Sequence, residues 1–119
     1  MNASEAAIPL FSYGTLQQPE VQLANYGRRL SGAPDRLPGY VLTTIEISDA
    51  NVVRLSGKSV HSIARSTGVP TDLIDGIVLL LTPSELAATD AYETDDYRRV
   101  ELKLESGQIA FVYVEANGG

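Results

Sequence analysis

The run Leu-Ile-Asp-Gly-Ile-Val-Leu-Leu-Leu-Thr, residues 73 to 82, constrains the fold more than any other stretch of the chain. A near-continuous apolar run of this length marks a strand covered on both faces, inside a barrel or under a helix, and it is expected to be central. The segment that comes next sets its neighbour. In Thr82-Pro83-Ser84-Glu85, Thr82 is placed to cap, Pro83 takes the first helical position and Glu85 reaches back to close a capping box, so a helix starts here. It is expected to run from Ser84 through Glu93, where Leu86, Asp90 and Glu93 are spaced to share one face. Beyond it Val100, Leu102 and Leu104 alternate with Arg99, Glu101 and Lys103, and a turn near Ser106-Gly107 folds the chain back to Val114 as a closing hairpin.

The first half is less sharply patterned. Ile8 to Tyr13 reads as a strand, and Pro19-Glu20 opens a helix over Val21, Leu23, Ala24 and Leu30 that Gly27 weakens at its end. Residues 32 to 39 read as a Pro/Gly-rich loop. Residues 40 to 47 and 51 to 56, rich in β-branched side chains, read as two paired strands across Ser48-Asp49-Ala50, with a fainter strand at 59 to 66. With 119 residues, 44% of them hydrophobic, the chain suits one compact domain with loose ends at 1 to 7 and 116 to 119. No stretch is long enough to span a membrane, and the first seven residues lack the basic and apolar parts of a targeting signal, so a cytoplasmic location is expected. Cysteine is absent, which excludes disulfides, thiolate catalysis and Cys-based zinc sites. A formal charge of −6 with only nine Lys plus Arg argues against a nucleic-acid partner. The basic pairs Arg28-Arg29 and Arg98-Arg99 read as solvated or salt-bridged surface pairs, or as holders of a substrate carboxylate.

Leu-Phe-Ser-Tyr-Gly-Thr-Leu, residues 10 to 16, poses a question: Gly14 surrenders its side chain while a hydrophobic run is still in progress. Neither phosphate-loop fingerprint is present. Gly14 either permits a bend as the chain leaves the sheet, or bares a backbone whose N–H groups face a ligand. The one histidine, His61, cannot form a multi-histidine metal site and reads as structural or surface. Asp90, Glu93, Asp95 and Asp96 lack the calcium-loop spacing. A hydrolase using Asp90, Glu93 and Asp96 on a metal therefore ranks low, and no metal or cofactor is expected. Glu93 reads as a solvated carboxylate near a helix end or, if it faces a pocket, as a proton carrier whose pKa is raised by burial and by the negative end of the helix dipole.

Taken together, Phe11-Ser12-Tyr13-Gly14-Thr15-Leu16 and the later Asp90-Ala91-Tyr92-Glu93 followed by Tyr97-Arg98-Arg99-Val100 resemble the gamma-glutamylcyclotransferase-like family, including gamma-glutamylamine cyclotransferases. Gly39-Tyr40 before a strand and Gly76 inside one are similar to further family features, so the match covers residues 10 to 16 and 76 to 114. The resemblance implies an α+β fold, a small mixed β-barrel with flanking helices. It implies Glu93 as catalytic acid/base, and Tyr13, Gly14, Thr15, Leu16 and Tyr97 as substrate-binding residues, with loop amides in the pocket and Tyr97 bonded to substrate or to Glu93. The activity implied is release of 5-oxoproline and an amine or amino acid from a small gamma-glutamyl compound. A non-catalytic module binding a small molecule or a protein on the same fold is the alternative. Thr89 stands where the family usually has leucine, and residues 52 to 56 depart from its proline motif. Oligomeric state and the exact gamma-glutamyl compound are not readable from the chain.

Overall fold

The computed structural model describes residues 8–116. Its strands are β1 (Ile8–Ser12), β2 (Ala33–Pro38), β3 (Tyr40–Glu46), β4 (Val60–Ser66), β5 (Leu73–Leu81), β6 (Tyr97–Lys103) and β7 (Ile109–Glu115). Its helices are α1 (Pro19–Tyr26), α2 (Ala50–Ser56) and α3 (Pro83–Tyr92), with a 3₁₀ turn over Thr15–Gln17. Five strands form one mixed sheet in the order β2-β5-β1-β7-β6, and β3 and β4 form a separate two-stranded sheet. In the large sheet β1 runs antiparallel to β5, with Leu10 opposite Leu79, and parallel to β7, with Leu10 opposite Phe111.

The α+β class is as expected, but the sheet does not close into a barrel. β2 and β6 remain edges of the large sheet, and β3–β4 pairs only with itself. The chain changes sheets at Gly39, whose φ of +84° suits glycine. That corner is fixed by backbone bonds from Gly39 N–H to Asp72 O and from Thr67 N–H to Gly39 O. Elsewhere side chains span the gap: the Tyr97 hydroxyl in β6 donates to Ser62 O in β4, and Arg65 pairs with Glu115.

Strand alternation places the core on both faces of the large sheet. On one face Leu10, Leu79, Leu81 and Tyr113 pack with Val21, Val52 and Tyr92 of the three helices. On the other, Phe11, Val78, Val112 and Val114 pack with Leu37 and with Ala64 of β4. β5 is thus flanked by strands on both sides and covered on both faces over most of its length, as its apolar run requires, except at the exposed Leu73, Asp75 and Leu80. The capping box of α3 is complete: Thr82 accepts from Glu85 N–H, and Glu85 accepts from Thr82 N–H. Glu85 also takes a bidentate bond from Arg28, tying the segment after α1 to the start of α3.

Two stretches correct the sequence reading. Residues 51 to 56 form a helix, not a strand, because Asp49 accepts from the N–H groups of Asn51 and Val52 while Gly57, at φ +73°, ends it. Those two local bonds outweigh the β propensity of Val52 and Val53. Residues 33 to 38, read as a loop, pair in register with β5, and β2 accommodates Pro34 and Pro38 because it is an edge strand. α1 stops at Tyr26 with Gly27 as its left-handed cap, short of Leu30. Of the ends expected to be loose, residues 1–7 and 117–119 lie outside the described residues, and the Ala116 N–H is bonded to Asp96 O. Among the described residues no helix is long and apolar enough to cross a membrane.

Candidate active site

The loop after β1 is built largely from its own bonds. Gln17 N–H and Gln18 N–H turn back to Gly14 O and Thr15 O, and the Gln17 side chain donates to Ser12 O at 2.7 Å. Leu16 is buried and anchors the turn in the core, its carbonyl accepting from the buried Gln22 side chain. Thr15 shares a 2.7 Å hydroxyl bond with Tyr92 at the end of α3. The Tyr13 hydroxyl donates to Tyr113 O and accepts from Ala64 N–H, so this one side chain joins β1, β7 and β4. Gly14 sits at the tip. A Cβ built there meets nothing within 4 Å, and its N–H has no acceptor among the described residues.

Beside this loop lies a cavity of about 380 Å³, counted out to its opening to solvent. Its wall comprises Phe11 to Leu16 from β1 and the loop, His61 and Ser62 from β4, and Glu93, Tyr97 and Tyr113. All six residues singled out from the sequence therefore converge on one cavity. The sequence reading does not include Ser62 and Tyr113, and reads His61, which also lines the cavity, as structural or surface. The antiparallel pairing of β4 and the position of β7 beside β1 bring them in, and neither follows from local sequence.

Glu93 is not in the last turn of α3 but is its C-cap, in extended conformation with its N–H bonded to Thr89 O. Its carboxylate turns into the cavity, and among the described residues no donor bonds to it. Burial raises its pKa from 4.5 to about 8, because the charged form gives up hydration without gaining a partner. The residue as a whole is half-buried and lines the cavity.

Aromatic hydroxyls surround this carboxylate, and their protons are directed elsewhere. Tyr13 donates to Tyr113 O, Tyr97 to Ser62 O, and Tyr113 to Asp90. Burial first, and the nearby Glu93 charge second in the case of Tyr97, push these phenols above their ordinary range, so all three remain protonated. Tyr97 is thus committed to a backbone carbonyl rather than to Glu93. Asp90 is held by Arg99 at 2.7 Å as well as by Tyr113, and Asp96 accepts from Thr94. Asp90, Glu93 and Asp96 therefore do not converge, and among the described residues no three acidic or histidine side chains stand where one ion would join them. Arg28 and Arg99 are occupied by Glu85 and Asp90 and lie outside the cavity wall. His61 bonds through Nε2 with Ser56 Oγ and Lys58 O, a structural role that fixes the turn before β4.

The family model described as "Gamma-glutamyl cyclotransferase, AIG2-like" matches residues 10–118. A solution structure from Arabidopsis thaliana is similar at 20% identity over 93% of this chain and 63% of that one, with a TM-score of 0.68. The chain thus spans less than two thirds of that relative's length. An uncharacterized protein from Homo sapiens is similar at 18% identity over 94% of this chain and 68% of that one, with a TM-score of 0.72. A structure described as gamma-glutamyl cyclotransferase gives 16% identity, coverage of 94% and 68%, and a TM-score of 0.70. At these identities the structures show a shared fold. No curated protein matches the chain.

Proposed function

Because the chain belongs to the AIG2-like gamma-glutamyl cyclotransferase family, we propose that it converts a gamma-glutamyl compound into 5-oxoproline and a free amine or amino acid, with Glu93 as the proton carrier. The observation that carries this reading is the carboxylate of Glu93, unpaired inside a cavity and held near pKa 8 beside the bare backbone of Gly14. A group near that value exchanges protons with an α-ammonium at little cost in either direction.

The chemistry then needs few parts. Glu93 as carboxylate takes a proton from the α-ammonium of the substrate, and the freed nitrogen attacks the γ-carbonyl carbon. Glu93 returns the proton to the γ-nitrogen, and the C–N bond to the leaving group breaks as the lactam closes. The α-nitrogen surrenders two protons over the cycle and the leaving amine takes up two, so no water is consumed. The substrate supplies its own proximity, and the enzyme folds it into an attacking geometry. The N–H groups of Gly14, Thr15 and Leu16, which have no acceptor among the described residues, are the loop donors available to the carbonyl oxygen as it gains charge.

The test is a panel of gamma-glutamyl compounds assayed for 5-oxoproline. Its formation is expected from at least one. Free glutamate instead would make the protein a hydrolase, and tight binding of a compound without any product would make it a binding module.

Gly14→Ala is expected to fold normally, since nothing of the protein occupies the place of the new methyl group. It is expected to lower kcat/KM by roughly tenfold or more, as the methyl stands between substrate and backbone and displaces the bound geometry. Equal kcat/KM for the two proteins would show that the glutamyl group does not lie against this residue.

A further inference from the structure

The cavity does not end at its mouth. A broader groove continues from it, with Gly14 and His61 walling both, and runs on past Gln17, Gln18, Lys58 and Val60. If the glutamyl end cyclises beside Glu93, as the proposed function holds, whatever is attached to the γ-nitrogen extends outward along this path.

The charge of the groove is uneven. The chain carries fifteen Asp plus Glu against nine Lys plus Arg, yet neither Asp nor Glu lines the groove. Its one formal charge, counting histidine as neutral, is Lys58. That ammonium has no ion-pair partner among the described residues, while the backbone that carries it is tightly held. Lys58 N–H donates to Ser56 Oγ, and Lys58 O receives bonds from the Ser56 hydroxyl and His61 Nε2 at 3.2 and 3.0 Å. Ser56 is buried and also bonds to Val52 O, so α2 fixes the point from which the lysine reaches. A cation on a fixed base, in a groove without a competing carboxylate, complements an anion. The groove has no group with which to pair an ammonium.

We propose that this groove is the leaving-group subsite and that Lys58 recognises a carboxylate on the departing amine, so that gamma-glutamyl α-amino acids are preferred over gamma-glutamyl amines that lack the carboxylate or carry a second positive charge. The inference rests on the cyclotransferase reading and specifies its substrate class. Lys58 sets specificity here and takes no part in moving protons.

A matched pair of substrates tests it: gamma-glutamylalanine, and gamma-glutamylethylamine, which differs by the missing carboxylate. The ratio of kcat/KM for the first over the second is the readout, for the wild type, Lys58→Met and Lys58→Glu, each checked for an unchanged thermal midpoint. The wild type is expected to favour gamma-glutamylalanine. Removing an exposed charge is expected to lower the ratio about threefold, and reversing it about tenfold, mostly through KM. Raising salt from about 0.05 to about 0.5 M should shrink these differences, because the Debye length falls from roughly 14 Å to roughly 4 Å, close to the separation of an exposed ion pair. A ratio that stays the same in both variants, or equal losses on both substrates, overturns the assignment of Lys58 while leaving the cyclotransferase reading intact. Absence of 5-oxoproline from either substrate with the wild type, and from every other gamma-glutamyl compound tried, overturns both.

Discussion

Glu93→Gln is expected to lower kcat by roughly 10²-fold or more, the usual scale for losing a general acid/base, while substrate still binds. Glutamine keeps the shape of the side chain and loses the proton it carries. The same substitution has a second consequence, independent of any substrate. Burial raises the folded-state pKa of Glu93 from 4.5 to about 8. Between those values the folded protein holds a proton that the unfolded chain has released, so stability falls as pH rises through the window. Above about pH 8 the loss levels off at no more than about 5 kcal/mol, a ceiling because the residue also lines the open cavity. Glu93→Gln should therefore unfold at a higher temperature than the wild type at pH 9 and differ little near pH 4.5. In the wild type kcat/KM should fall as pH drops through about 8, because attack starts from the carboxylate form. Asp95→Asn is the control: it alters an exposed carboxylate two residues away and should show neither effect. If Glu93→Gln turns over at the wild-type rate, Glu93 is not the proton carrier. If its stability shows the wild-type dependence on pH, the carboxylate is hydrated in the folded protein.

The largest expected effect on folding belongs to Gly76→Ala. Gly76 lies within β5, and a Cβ there would stand 2.5 Å from Ser12 O and 2.6 Å from Cζ of Phe11. Neither neighbour yields easily. Phe11 is fully buried in the core, and Ser12 O is backbone at the end of β1, where it receives the Gln17 side chain. Overpacking at such a place costs about 3 kcal/mol, at the upper end of the usual range, which corresponds to a drop of about 10 °C in Tm for a chain of this size. Activity should suffer too, since what must shift is the backbone that leads into Tyr13 and Gly14. Gly14→Ala provides the contrast, a glycine needed for space outside the protein rather than within it. An unchanged melting temperature for Gly76→Ala would mean that β1 and β5 do not pack this closely.

What the sequence disclosed was mainly what depends on near neighbours. The α3 start was legible because Thr82 and Glu85 satisfy one another three residues apart, and the β6–β7 hairpin because alternation and a turn at Ser106-Gly107 suffice to specify it. α2 carries equally local marks in Asp49 and Gly57, but the β-branched Val52 and Val53 between them carry the opposite signal. The prolines of β2 masked a strand whose edge position depends on the rest of the sheet. That the sheet stays open was not legible at all, because it depends on how the β3–β4 pair meets strands far away in sequence. The site divides in the same way. Tyr13 to Leu16 and Glu93 stood out through motifs, whereas Ser62 and Tyr113 reach the cavity only through strand pairing.

The gap between the two sheets affects how the cavity wall responds to force. At Gly39 the β3–β4 pair is fastened by backbone bonds, whereas toward β6 and β7 it is held by the packing of Ala64 and by bonds of the Tyr97, Tyr13 and Arg65 side chains, without a strand ladder. A closed barrel would have to unzip a ladder to admit a bulky molecule. Here the wall bearing His61 and Ser62 is clamped at one end and latched at the other, and each latch is a side-chain bond worth about 1 kcal/mol net. Compliance is therefore concentrated on the side of the cavity facing Glu93, while β1, which carries the bare glycine, is braced by a strand on either side. The floor on which the substrate would rest is stiff, and the wall it would pass is soft.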